Sequence, residues 1–137
     1  MGAPYYGAYL ATLALAGADQ IAPLDTFSDT YGAWAIYSGD QVVKVLLYNS
    51  DYYSSGTRPS QTFSLAGLDG SSIQATRLTA PFSTSRQDRG QNPTVGGQTF
   101  VNGTCEIQGT STKETVVVSG GRADLTVAAS EALLLYV

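Results

Sequence analysis

The chain's 137 residues fit one domain, long enough to bury about two thirds of its unfolded surface without disulfides. Seven basic residues, scattered singly against 11 acidic ones, give a net charge of −4, which excludes the clustered basic footprint of a nucleic-acid or anionic-membrane binder. There is no histidine, which removes Ser-His-Asp and Cys-His catalysis and most zinc sites.

In chain order, the first element is a helix. Pro4 suits its first turn and Gly17 its stop. Tyr6, Leu10, Leu13 and Ala14 fall at helical spacing, while Ala8, Ala11, Thr12 and Leu15 form an opposite side that is small and mostly apolar. A helix apolar nearly all round is buried on more than one side, and a small β domain cannot cover all of it. The same stretch lacks a basic n-region and so reads as a helix, not a signal peptide. No apolar run approaches the roughly 20 residues of a membrane span.

A short extended segment follows at 21–25, with Pro23 favouring an edge. Thr26 to Thr30 is turn-like. A strand is expected at 32–38, with Trp34 and Ile36 on one face and Ala33, Ala35 and Tyr37 on the other. Gly39-Asp40 is a two-residue hairpin signal. The strand at 42–49 is apolar on both faces apart from Lys44: Val43, Val45 and Leu47 suit a core, and Val42, Leu46 and Tyr48 also need cover. A strand covered on both sides lies centrally.

Residues 51–60 form a loop by their Ser, Gly and Pro content. Strands are expected at 61–65 (Phe63 and Leu65 inward), 72–79 (Ile73 and Ala75 on one face), 114–118, 123–128 (Ala123, Leu125 and Val127 inward) and 131–137. In the last, Leu133, Leu135 and Val137 share one face and Leu134 and Tyr136 the other. Residues 80–97 form the longest irregular stretch, 98–101 a short strand and 102–112 another loop. Seven or eight short strands with turn signals between them predict an all-β fold, an antiparallel β-sandwich preceded by one helix. The abundance of Tyr, Gly, Ser and Thr agrees.

Each candidate for chemistry has a structural alternative. A glycosidase needs two carboxylates across a cleft. Glu106, Glu114 and Glu131 lie in a loop or at strand starts, with no enclosing cleft or perturbing partner in view, so no catalytic residue is assigned. Asp25, Asp29 and Asp51 lack the ligand spacing of a calcium loop. Asp25, Thr26, Ser28 and Asp29 are better read as fixing their own bend. Tyr52 and Tyr53, and with less support Trp34, could stack on sugar rings; otherwise they serve the core and loops. Arg77, Arg86 and Arg89 bracket the 80–97 loop and either reach carboxylates of a neighbouring domain or stay solvated. Cys105 is alone, so it is either buried, the commoner state, or paired outside the chain. Asn102-Gly103-Thr104 is a glycosylation sequon, relevant in a secreted protein, whereas Asn92-Pro93-Thr94 is blocked by its proline. No metal or other cofactor is expected.

Several blocks carry a resemblance: PYYG (4–7), IAPLDTFSDTYGAWAIYSG (21–39), VVKVLLYNSDYYSSGTRPSQTFSL (42–65), RLTAP (77–81) and ASEALLLYV (129–137). Their order resembles the C-terminal β-domain of family 79 glycoside hydrolases, the heparanase and β-glucuronidase group, and is most similar to fungal β-glucuronidase-like members. The stretch 83–112 looks divergent. The resemblance implies a (β/α)8 barrel that carries both catalytic glutamates and a sandwich packed against it. It implies that residues 1–18 are a helix left over from that barrel, that 19–137 are the sandwich, and that a strand the family contributes from its N-terminus is missing. The expected function is then a non-catalytic domain of a retaining, extracellular β-glucuronidase-like enzyme, with the barrel as partner and glucuronic-acid-containing glycans as possible ligands. The alternatives are a free-standing carbohydrate-binding module and a truncated product that self-associates through its helix.

Overall fold

A computed structural model describes residues 2–25 and 28–137. Thr26, expected to help fix the bend before the second strand, lies outside the described residues. The helix α1 spans Ala3–Leu15, with proline in its first turn, and the chain leaves it through Gly17 at φ 73°. Among the described residues eleven strands follow: β1 (Gln20–Pro23), β2 (Tyr31–Ser38), β3 (Gln41–Asn49), β4 (Ser60–Ala66), β5 (Ser72–Thr79), β6 (Thr94–Val95), β7 (Thr99–Phe100), β8 (Ile107–Gln108), β9 (Glu114–Val117), β10 (Arg122–Ala128) and β11 (Glu131–Tyr136). The number exceeds the expected seven or eight because β1 is read from sequence only as a short extended segment, and β6 and β8 are two-residue strands inside stretches read as loops. So short a strand carries no periodicity to find.

The strands are antiparallel. One sheet runs β1-β2-β3-β11-β5-β6, with β9 also pairing β5. A separate ribbon, β10-β4, packs on one face, and β7 pairs β8 alone. The last strand, β11, lies between β3 and β5, and β3 between β2 and β11, so both apolar strands are central as expected.

Each face of the sheet is covered by a different layer. Between sheet and ribbon lies an aliphatic core built on Leu47, Val45, Ala75, Leu133 and Leu135 from the sheet and Leu125 and Val127 from the ribbon. On the other face Tyr6, Leu10 and Ala14 of α1, with Val95 and Phe100, bury Ile36 and Leu134. The second apolar face of β3 is therefore partly covered within this chain. Leu46 and Tyr48 stay half-buried.

One expected face is corrected. The pairing of β2 and β3 shifts between Ile36 and Tyr37, so that Tyr37 faces Val42 while Ile36 faces Lys44. This bulge turns Val42 to the inner face, beside Ala35 and Val45. Lys44 has a task that its strand could not announce. Its Nζ donates to the carbonyls of Leu13 (2.8 Å), Ala14 (3.1 Å) and Ala16 (2.8 Å), closing the C-terminus of α1 with a cation.

Gly32 sits opposite Tyr48, whose ring lies 2.9 Å from where a Cβ would stand, so a larger residue there would push the Tyr48 ring aside.

Candidate functional site

The loops after β3, β5 and β10 meet at one end of the sandwich. The Ser83 amide donates to the Tyr53 carbonyl (2.8 Å), and the Tyr53 amide donates to Ser83 Oγ (2.7 Å). Ser83 and Ser130 share a hydroxyl hydrogen bond, and Ser130 Oγ also donates to the Asp51 carbonyl (3.0 Å). These bonds hold Ser130 at φ 60° in the two-residue turn that carries the chain from ribbon to sheet. Arg58 donates twice to the Ala129 carbonyl, at 2.8 and 2.6 Å.

This stitching separates the two candidate sugar contacts. The Tyr53 ring stacks on Phe82 with centroids 5.8 Å apart, Arg58 lies over it at 5.4 Å, and its hydroxyl donates to the Gly56 carbonyl (2.9 Å). Tyr53 is thus committed to the loop. Tyr52 is 71% exposed. Trp34 is half-buried on β2, opposite Pro23 and Leu46. Arg58, Phe82 and Ser130 escaped sequence reasoning, because each acts on a partner far along the chain.

Two of the three glutamates converge, contrary to the expectation that no perturbing partner stands near them. Arg77 donates from Nε and Nη2 to both oxygens of Glu114 (2.6 and 2.9 Å), and from Nη1 to Glu131 Oε2 (2.8 Å). Thr79 Oγ1 donates to Glu131 Oε1 (2.6 Å), and the Ala128 amide to Oε2 (3.2 Å). Burial alone would push the Glu131 carboxyl up; the Thr79 hydroxyl, the Arg77 guanidinium and the Ala128 amide outweigh it and hold it below the ordinary glutamate value. The hydrogen bonds with Glu114 lead the effects that raise Arg77, against the opposing effect of burial.

A glycosidase pair needs one carboxyl that keeps its proton and space between the two for a sugar. Here a guanidinium fills that space and Glu131 is held ionised. The cluster ties β5, β9 and β11 together, and Arg77, a candidate for reaching a neighbouring domain, is engaged within this chain. Arg86 closes on Asp88 at the surface (2.5 Å), and Arg89 is exposed. Glu106 is exposed in the β7–β8 loop, where its carboxylate accepts from Thr104 Oγ1 (3.3 Å).

The aspartates near β2 do not gather as a cage. Asp25 accepts from the Ala33 amide (2.8 Å), and Ser28 Oγ from the Thr30 amide (3.3 Å), which is the bend-fixing role expected of both. Asp51 lies beyond β3, its amide donating to Asn49 Oδ1 (3.0 Å). Cys105, expected to be buried, is exposed in the β7–β8 loop at φ 63°. That loop carries the sequon and turns through Gly103 at φ 92°, away from both cores.

Among the described residues, the two open apolar surfaces that bear on function are the following. The outer side of α1 exposes Tyr5 (40%) and Leu15 (51%) together with Ala8, Ala11 and Thr12. At the end of the sandwich opposite the stitched loops, a groove of about 210 Å³ is lined by Leu24, Ala35, Val42, Leu65 and Val137. One water occupies roughly 30 Å³ in the liquid, so the groove has room for side chains. Among the described residues, β4 beside it pairs along one edge only, with β10.

Residues 33–134 match the glycosyl hydrolase family 79 C-terminal beta domain. The crystal structure of a 4-O-α-L-rhamnosyl-β-D-glucuronidase from Fusarium oxysporum 12S, in complex with Rha-GlcA, is similar over the whole of this chain, at 64% identity and a TM-score of 0.97. The chain spans 30% of the length of that protein. No curated protein matches.

Proposed function

Because the chain belongs to glycoside hydrolase family 79 as its C-terminal β domain, we propose that it supports the catalytic (β/α)8 barrel of an extracellular β-glucuronidase-like parent and has no hydrolytic activity alone. The observation that carries this is α1. One side of the helix fills a core with Tyr6, Leu10 and Ala14, and the other leaves Tyr5, Ala8, Ala11 and Leu15 uncovered. A helix apolar on both sides bridges two bodies. In this reading residues 1–18 belong structurally to the barrel and 19–137 to the sandwich. The groove beside β4 would take the strand that the family contributes from its N-terminus, completing a sheet edge and covering Val42. The role is mechanical: the sandwich holds one side of the barrel and its loops.

Co-expression of this chain with the barrel of its parent tests the proposal. A stable complex with glucuronidase turnover, weakened by Leu15→Asp on the open side of α1, is the expected result. A barrel equally stable and active without the chain, or glucuronide turnover by the purified chain alone, would overturn it.

The rival reading, a carbohydrate-binding module, has one favourable observation, the 71% exposure of Tyr52 on a well-held loop. A single free ring is a small platform, since Tyr53 already stacks on Phe82. Micromolar calorimetric binding of glucuronic-acid-containing oligosaccharides, lost in Tyr52→Ala, would favour the module.

A further inference from the structure

The chain has three asparagines, and the fold treats them differently. Asn49 is buried, with its Nδ2 donating to the Val127 carbonyl (3.1 Å). Asn92 is half-buried, its Oδ1 is shut away from solvent, and Pro93 blocks its sequon. Asn102 is exposed at the start of the β7–β8 turn, and Gly103 and Thr104 complete an acceptor sequence. Open space surrounds Gly103: a Cβ built there would meet nothing within 4 Å.

We propose that Asn102 carries an N-linked glycan. This rests on the reading of the parent as secreted, since the modification needs the secretory pathway. In the transfer, the side-chain amide nitrogen bonds to C1 of the first sugar of a lipid-linked oligosaccharide. The bond from C1 to the lipid diphosphate breaks, the diphosphate leaves with its electron pair, and the amide gives up one proton. Transfer precedes folding, so the fold decides whether a bulky hydrophilic group is tolerated at that place. At Asn49 it would occupy the core. At Asn102 it projects from an exposed turn that neither core uses.

The site constrains the parent's architecture as well. Asn102 shares a polar hollow with Gly2, Arg86 and Pro93, at the N-terminal end of α1. A glycan there keeps the β7–β8 turn in water in the parent.

The test uses the chain behind a cleavable secretion signal, translated with microsomes. A mass increase removed by endoglycosidase, and absent from both Asn102→Gln and Thr104→Ala, is expected. Wild-type chain that is imported and protease-protected but unmodified would overturn the site. Glycopeptide mapping of the parent from culture medium then separates site from route. An occupied Asn102 there supports the proposal, and a secreted parent with bare Asn102 overturns it. A parent confined to the cell interior, with microsomal occupancy intact, sinks the secretion reading and with it modification in the native host, but not the acceptor competence of the turn.

Discussion

The two faces of the main sheet are covered in different ways. The inner core, against the β4–β10 ribbon, is almost wholly aliphatic and built from long strands of clean alternation. The outer core, under α1, mixes aromatic with aliphatic side chains and takes Val95 and Phe100 from two-residue strands. Tyr5, Tyr6 and Tyr9 all meet Phe100 edge to face, at 4.9, 5.2 and 5.1 Å. The Tyr6 hydroxyl pairs with Thr99 Oγ1 (2.7 Å) and accepts from the Phe100 amide (3.1 Å). One core depends on area and the other on particular groups. The area-based core holds the sandwich together, whereas the group-based core fastens a helix whose other side is open. The layer with an open side is the one that relies on particular aromatic and hydroxyl contacts.

The largest expected effect is on the inner core. Leu135→Ala, fully buried in the central strand, should cost about 2–5 kcal/mol and lower the stability of the whole domain, read by denaturant unfolding. Phe100→Ala is its counterpart. If the helix layer opens by itself, the global cost stays below the roughly 3–5 kcal/mol typical of a buried Phe→Ala. Amides of α1 should then lose hydrogen-exchange protection while those of β3 and β11 keep theirs; loss of protection in α1 and β11 together would erase the distinction between the layers.

A smaller effect is expected at the helix end. Lys44→Met keeps the apolar stem but removes three hydrogen bonds to α1 carbonyls. A cost of about 1–2 kcal/mol, confined to α1 in hydrogen exchange, is expected. The smallest effect is on pH. Glu131 has a folded value below its ordinary 4.5, so the folded state binds its proton less readily than the unfolded chain. Its contribution is complete above that ordinary value and lost as pH falls through the lower folded one. Thermal melts across this acid range should show a shallower decline for Glu131→Gln than for the native chain.

How much was legible follows from the same contrast. The strands of the inner core announce themselves by period-two alternation, as in Ala123, Leu125 and Val127, and their boundaries fall within a residue or two of expectation. The pieces of the outer core were harder. Val95 and Phe100 lie in two-residue strands, and their burial depends on a helix some 80 or more residues earlier in the chain. Among the site candidates, Tyr52 and Tyr53 look alike in sequence. Their separation depends on Phe82 and Arg58, which only the folded loops bring near.

By itself the sequence determined the helix, the long strands, the centrality of β3 and β11 and the family resemblance, because alternation, helical spacing and turn residues are local properties. Only the tertiary structure decided that a bulge turns Val42 inward, that Lys44 closes a helix 30 residues away, and that Arg77 draws Glu114 and Glu131 into one cluster. Each is an encounter between residues distant along the chain, set by strand register and loop closure, and local pattern carries no record of it.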